Sequence, residues 1–370
     1  MEDLTYKNIS NFDELFIEIK EGQNGNAISI PTNMGRLDSY ISIRPRIMQL
    51  VFSSTGAGKS AFVNTAFILN PYDWLYSAEN ITGLSMKTVL FSMERAKKYT
   101  IAKWISRKIF KEHQEVIDVP TMMGWKNIKL TKSQIDLIYS YKDYINKLEE
   151  DVDIYEGNRS PEDIGRILTE KAIEWGKYEQ INEFKKIYTP NNPKQIVNIV
   201  IDHGNLTKAT KTHNYNKKTA IDALVAKIQK FRDIEGFHIV WVAQVNRAMS
   251  GVTNSGKDFG AELTIDDVKQ SGDIGDACDL GITLYDPLKY RQGSLTRYDP
   301  KDFIDPNTGA KKFRSITICK SSYGADDVRI PMAFAGHCGD MIPLPSINNI
   351  TPEEYSKISE EVLNNQYFFK

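Results

Sequence analysis

The stretch VFSSTGAGKSAFVN, residues 51–64, constrains this chain more than any other. An apolar strand end runs into a turn of small residues around a single lysine, and the turn runs straight into a helical pattern. Successive backbone N–H groups of such a turn point inward and form a concave anion site, to which the following helix adds its positive end. Phosphate is the natural guest. Gly56 and Gly58 permit the backbone conformation and close approach, Lys59 can reach the β and γ phosphates, and Ser60 can ligate Mg²⁺. Ser54, Thr55, Ala57 and Ala61 complete the predicted cradle. Where the pattern GxxxxGK[ST] has its first glycine, this chain has Ser53, at the strand end and farthest from phosphate contact.

Around the loop the pattern repeats strand, turn, helix. Strands are expected at 47–52, 87–92, 196–201, 238–243, 280–285, 315–320 and 328–334. Most are short continuous apolar runs, as strands buried on both faces of a parallel sheet read. The expected fold is therefore α/β, a P-loop core on a mostly parallel sheet, with the last two strands forming an antiparallel edge. A mainly helical segment, about residues 110–190, is inserted between the second and third strands. Within it TKSQIDLIYSYKDYINKLEE reads as one helix, and Ser160 and Pro161 open another. Residues 1–30 read as an arm with one amphipathic helix, 31–343 as the main domain, and 344–370 as an acidic, partly helical tail.

Hydrolysis of a bound nucleotide needs more than a loop. IVNIVIDHGN ends a buried strand in Asp202, a carboxylate at the sheet edge where ligands of open α/β sheets sit and the candidate Mg²⁺ partner. VLFSMER carries Glu94 just past the second strand; if that strand lies next to the loop, Glu94 faces the γ-phosphate and polarises the attacking water. VWVAQVNR carries Gln244 off a fourth strand, where an amide can touch both the γ-phosphate and a mobile loop.

Formal net charge is −1, so nucleic-acid contact has to come from local basic patches. One such patch is NLTKATKTHNYNKKTA, where Lys208, Lys211, Lys217 and Lys218 interleave with Tyr215. Cys278, Cys319 and Cys338 are an odd number at unrelated spacing, which fits packing residues in a reducing compartment. The histidines form no metal-ligand pattern. No run is long enough to span a bilayer, and the N-terminus lacks a signal-peptide apolar region, so a cytoplasmic location is expected.

Taken in order, these blocks resemble the RecA-like motor domain of DnaB-type replicative helicases. IPTNMGRLDSYI is similar to the family's lead-in, with Leu37 and Asp38; SSTGAGKSAF, VLFSMER, IVIDHGNL and VWVAQVNR match its loop, glutamate, Mg²⁺ and sensor segments. VDIYEGNRSPEDI is similar to the strand-then-helix before the Mg²⁺ segment. LTIDDVKQSGDIGDACDLGITL and ITICKSSYGADDVRIPMAF resemble the DNA-contact segment and the terminal hairpin. The likeness runs from about residue 28 to 336, and it implies ATP and Mg²⁺ as cofactors, Glu94 as general base, Asp202 as metal partner and Gln244 as sensor. It further implies DNA-backbone contact by Lys269, Gln270, Ser271 and Gly272, with MSGVTNSGKDFGAEL as central-pore loop.

Two departures stand out. The family's trans-acting arginine falls on Ser322, so either Lys320, Arg314 or Arg329 replaces it or ATP turnover is slow, with Lys320 and Arg329 expected as nucleotide contacts. Lys269 stands where arginine is usual and loses the bidentate fork. The loop's position near residue 53 leaves no room for the family's N-terminal helical domain, so a ring would rely on the 1–30 arm. The resemblance implies a 5′→3′ DNA helicase working as a ring, a hexamer, on single-stranded DNA, with a loader or primase as partner. The alternatives are a non-motor ATP-dependent DNA-binding or assembly protein and a RecA-like recombination or repair ATPase.

Overall fold

Strand β3, Met48–Ser53, is buried along its whole length, and its alternation divides the core. Met48, Leu50 and Phe52 enter one apolar cluster and Val51 the other, so the sheet must be covered on both faces. A computed structural model of the chain describes residues 10–182, 185–245, 263–271, 274–289 and 296–369.

In chain order the strands are β1 (Ile30–Pro31), β2 (Ser42–Ile43), β3, β4 (Ser85–Ser92), β5 (Val152–Glu156), β6 (Gly176–Asn182), β7 (Lys185–Pro190), β8 (Gln195–Asp202), β9 (His238–Gln244), β10 (Leu280–Tyr285), β11 (Phe313–Ser321), β12 (Val328–Ala335) and β13 (Asp340–Pro343). A nine-stranded sheet runs β13-β12-β11-β10-β3-β9-β8-β4-β5. From β10 to β5 all neighbours are parallel, whereas β11, β12 and β13 form an antiparallel edge. The expected mostly parallel α/β core is present, with β13 added to the edge.

Three expectations change. The second strand, β4, is not beside the loop strand: β9 and β8 lie between them. The helix expected over residues 131–150 breaks into Lys132–Ser140 and Lys142–Asp151. Tyr141 makes the break, because its buried ring packs beside Ile109 and Ile117 and its hydroxyl donates to Glu112 at 2.6 Å. The inserted segment contains the strand expected at VDIYE, β5, before its helix, and in addition the separate hairpin β6–β7, which was not expected. At the end of the chain, helix Pro352–Leu363 and Phe368 pack with Phe110, Tyr298, Phe303 and Phe313 in a third apolar cluster.

The helix after the loop runs Lys59–Asn64, widens to a π turn at Thr65–Leu69, and continues as Asn70–Leu75. Pro71 lacks the N–H that an α-helix would direct at the carbonyl four residues back, on Phe67. Asn198 Nδ2 of β8 donates to that carbonyl instead, at 2.8 Å. Leaving a buried carbonyl unpaired would cost about 1–3 kcal/mol. The same bond fixes the Asn198 amide orientation, so its Oδ1 accepts from His238 Nδ1 at 2.8 Å. Gln49 Nε2, which donates to the Ser42 carbonyl at 2.8 Å, also donates to His238 Nε2 at 3.0 Å. His238 is thus held neutral in a polar chain through the sheet, and burial depresses it to about 3.

A histidine depressed in the fold favours folding most above its unfolded value, about 6.5. That contribution is lost progressively as pH falls from there toward about 3. Urea midpoints should therefore drop between pH 7 and pH 5, with His238 contributing up to about 1.4 kcal/mol per pH unit. His238→Gln should flatten the drop; an unchanged slope would show that other groups cause it.

Candidate active site

At the C-terminal edge of the sheet the ends of β3, β9, β8 and β4 open on a cleft of 350 Å³. Its lining includes Thr55, Gly56, Gly58, Lys59, Ser60, Ala61, Glu94, Asp202 and Gln244. All three polar strand-end residues singled out in the sequence therefore share one cavity with the loop.

The loop has the required backbone. Gly56 and Gly58 have φ of 82° and 104°, in the region that favours glycine. At Gly58 a Cβ would also lie 2.5 Å from Met341 Cε, so packing from β13 adds a steric reason. Ser53 Oγ donates to the Ser54 carbonyl at 2.8 Å, in the place of the missing glycine. Lys59 is buried and folded over the loop, with Nζ donating to Ser53 O at 3.1 Å, Ser53 Oγ at 3.2 Å and Ser54 O at 3.2 Å. Burial lowers Lys59 to about 8, against the opposing pull of Asp202 and Glu94. An ammonium desolvated this way gains from an incoming anion.

Glu94 reaches the cleft although β4 is remote from β3. After β4 the chain turns back across the end of β8: Met93 N donates to the Asp202 carbonyl at 2.8 Å, and Ser92 Oγ donates to the Arg95 carbonyl at 2.8 Å. Glu94 is left exposed, with Oε2 4.0 Å from His203 Nε2. His203, a cleft residue the sequence reading did not single out, is buried and pushed down by desolvation. Close packing fixes the backbone here: a Cβ on Gly204 would meet Trp241 at 2.0 Å.

The cleft suits a divalent cation. Asp202 Oδ1 is buried and has no hydrogen-bond partner among the described residues. Burial pushes the Asp202 carboxyl up, partly offset by a hydrogen bond from Ser60 and by His203. A hydroxyl and an unsatisfied carboxylate oxygen at the start of the loop helix are the hard oxygen donors Mg²⁺ takes.

Gln244 leaves β9 opposite Ser53 of β3. Its N–H donates to Asn205 Oδ1 at 3.0 Å, and Asn205 Nδ2 donates back to its carbonyl at 3.4 Å. Asn205 lies at the head of the basic loop. Lys208, Lys211, Lys217 and Lys218 are all exposed on that loop and the following helix, outside the cleft lining.

The cations expected in place of the family arginine lie elsewhere. Arg314 is buried beneath the loop: Nε donates to the Ala57 carbonyl at 3.2 Å, and Nη2 pairs with buried Asp286 at 3.2 Å. It braces its own loop and is committed there. Lys320 donates to the Gly275 and Asp276 carbonyls at 2.9 and 3.2 Å, and Arg329 pairs with Asp327 at 2.7 Å. Neither lines the cleft of its own chain. The side chains of Lys269, Gln270 and Ser271, all of Gly272 and the segment 246–262 lie outside the described residues. Sequence reading missed Arg314 as a loop brace, and also Asp286, Lys289 and His203; only His203, next to Asp202, carried a local signal.

By sequence the chain matches no family model and no curated protein. By structure it matches a solved ATPase domain over 91% of this chain and 100% of that one, with a TM-score of 0.63 at 16% identity. It also matches a DnaB-like replicative helicase studied in its interactions with primase, over 92% of this chain and 68% of that one, with a TM-score of 0.63 at 17% identity. The fold is RecA-like. Within this RecA-like frame the loop, the two carboxylates and the glutamine all sit at the C-terminal ends of parallel strands, on one side of the sheet.

Proposed function

We propose that the chain hydrolyses ATP in this cleft and uses the cycle to move along single-stranded DNA as a ring, a 5′→3′ helicase of the DnaB type. The observation that carries the reading is the convergence of Lys59, Ser60, Asp202, Glu94 and Gln244 on one cavity. Phosphate oxygens replace the Ser53 and Ser54 carbonyls around Lys59, a stronger partner for the same ammonium. Mg²⁺, held on the Ser60 and Asp202 side, would neutralise phosphate charge. Glu94 takes the proton from the attacking water as its oxygen bonds the γ-phosphorus, and ADP leaves with the electron pair of the broken bridge.

Gln244 is the sensor, since its two bonds to Asn205 couple the phosphate end of the cleft to the basic loop that contacts DNA. Lys269, Gln270, Ser271 and Gly272 belong to the same DNA path by resemblance. A ring is supported by helix Asn11–Gln23, whose Phe12, Leu15, Phe16 and Ile19 are exposed at helical spacing and suited to a neighbouring subunit. A loader or primase is the further partner this reading implies. Commitment of Arg314 to its own loop favours a second reading, a slow ATP-dependent switch that binds DNA without moving on it.

ATP turnover measured with and without single-stranded DNA, alongside the mass of the assembly, tests both. DNA-stimulated turnover by a ring is expected, with Lys59→Ala at background. Turnover by Lys59→Ala equal to that of the unaltered chain overturns the loop assignment. Nucleotide binding without DNA-stimulated turnover selects the switch.

A further inference from the structure

Two cations hold the phosphate loop from outside, and Asp286 organises both. Its Oδ2 pairs with Arg314 under the loop, and its Oδ1 accepts from the Lys289 N–H at 3.1 Å. A second bond, from Lys289 N–H to the Asp286 carbonyl at 3.2 Å, closes the turn after β10. The backbone under Lys289 is therefore anchored, while its side chain is exposed. That side chain lies across the loop: Nζ donates to the Thr55 carbonyl and would be 3.7 Å from a Cβ placed on Gly56.

Arg314 and Lys289 differ in what they can still do. Arg314 is enclosed by Asp286, the Ala57 and Phe313 carbonyls and the Phe334 ring. Lys289 sits at the open lip formed by Thr55 and Gly56, both of which line the cleft. Lys59 feels it, since Lys289 is a cation that disfavours the Lys59 charge. Lys59 lines the cavity and Lys289 overlies its Thr55–Gly56 lip from outside, so the two ammonium groups repel until an anion with several charges enters between them. The backbone at the helix start takes the inner phosphates and Lys59 reaches from β to γ, so the opposite lip faces the outermost phosphate from its other side.

Resting on the nucleotide reading above, we infer that Lys289 is a further substrate contact, a lysine acting in its own subunit whose ammonium moves from the Thr55 carbonyl to the terminal phosphate of a bound nucleoside triphosphate. It supplies, from within the chain, positive charge at the end of the nucleotide where Ser322 of the hairpin supplies none. During hydrolysis it forms no covalent bond and gives up no proton. Water's oxygen bonds the γ-phosphorus, Glu94 receives the proton, the β–γ bridge breaks toward ADP, and Lys289 stays protonated against the phosphoryl oxygens.

The test compares fluorescent, slowly hydrolysed ATP analogue with fluorescent ADP, each with Mg²⁺, on the full chain. Lys289→Ala should lose about tenfold affinity for the triphosphate, as expected for one charge-assisted contact, and stay within about twofold for the diphosphate. Lys289→Arg should keep most triphosphate affinity. Equal losses for both nucleotides would make Lys289 a brace of the loop alone and overturn the inference, as would no loss for either. If the unaltered chain binds neither nucleotide, the ATP reading and this inference fall together. If it binds both and only the Lys289→Ala selectivity is missing, the inference alone falls.

Discussion

Glu94→Gln should lower ATP turnover by about 10²–10⁴-fold while the protein still binds ATP. Glutamine keeps the length and polarity of the side chain but cannot accept the proton that leaves the attacking water. Because Glu94 is exposed, with its Oε2 4.0 Å from His203 Nε2, the change should move stability by no more than about 0.5 kcal/mol. Single-turnover hydrolysis beside equilibrium nucleotide binding separates the two effects. Unchanged turnover would mean that another group receives the proton, and Asp202, the other carboxylate of the cleft, would be next to examine.

The largest expected stability effect lies under the loop. Arg314→Met removes one partner of a buried ion pair and leaves Asp286 desolvated, a loss of about 3–5 kcal/mol. It also strips the Ala57 carbonyl of its donor, so nucleotide affinity should fall with stability. Asp286→Asn added to Arg314→Met should recover much of the loss, because the amide needs no counter-charge and can still accept from the Lys289 N–H. Urea unfolding of the single and double variants checks this. A single variant within about 1 kcal/mol of the unaltered chain would show that the pair does not hold the loop.

What could be read from the chain, and what could not, divides by sequence distance. The phosphate loop was legible because strand, glycines, lysine and helix start are contiguous. Asp202 and Gln244 were legible because each ends an apolar run, and a parallel sheet brings all such ends to one edge. Glu94 lines the cleft without the strand adjacency that the sequence reading made its condition, since two strands separate β4 from β3 and the turn at 92–95 carries the carboxylate back. Asp38 stood out in the lead-in segment, and the structure gives it a local task, accepting from Thr32 N at 2.6 Å and Met34 N at 2.8 Å.

Arg314 and Lys289 could not have been assigned to the loop from their neighbours, since they meet it from more than two hundred positions away. Asn198, whose amide completes the helix at Pro71, acts from 131 positions away and was no more legible. Local backbone chemistry is written in adjacent residues, so the amino-acid order alone determined the anion cradle, the buried strands and the polar groups at their ends. Which strands became neighbours, and which distant cations close on the cradle, was decided only by tertiary packing. The apolar runs are nearly interchangeable as buried strands, and only simultaneous burial of both sheet faces distinguishes one order from another.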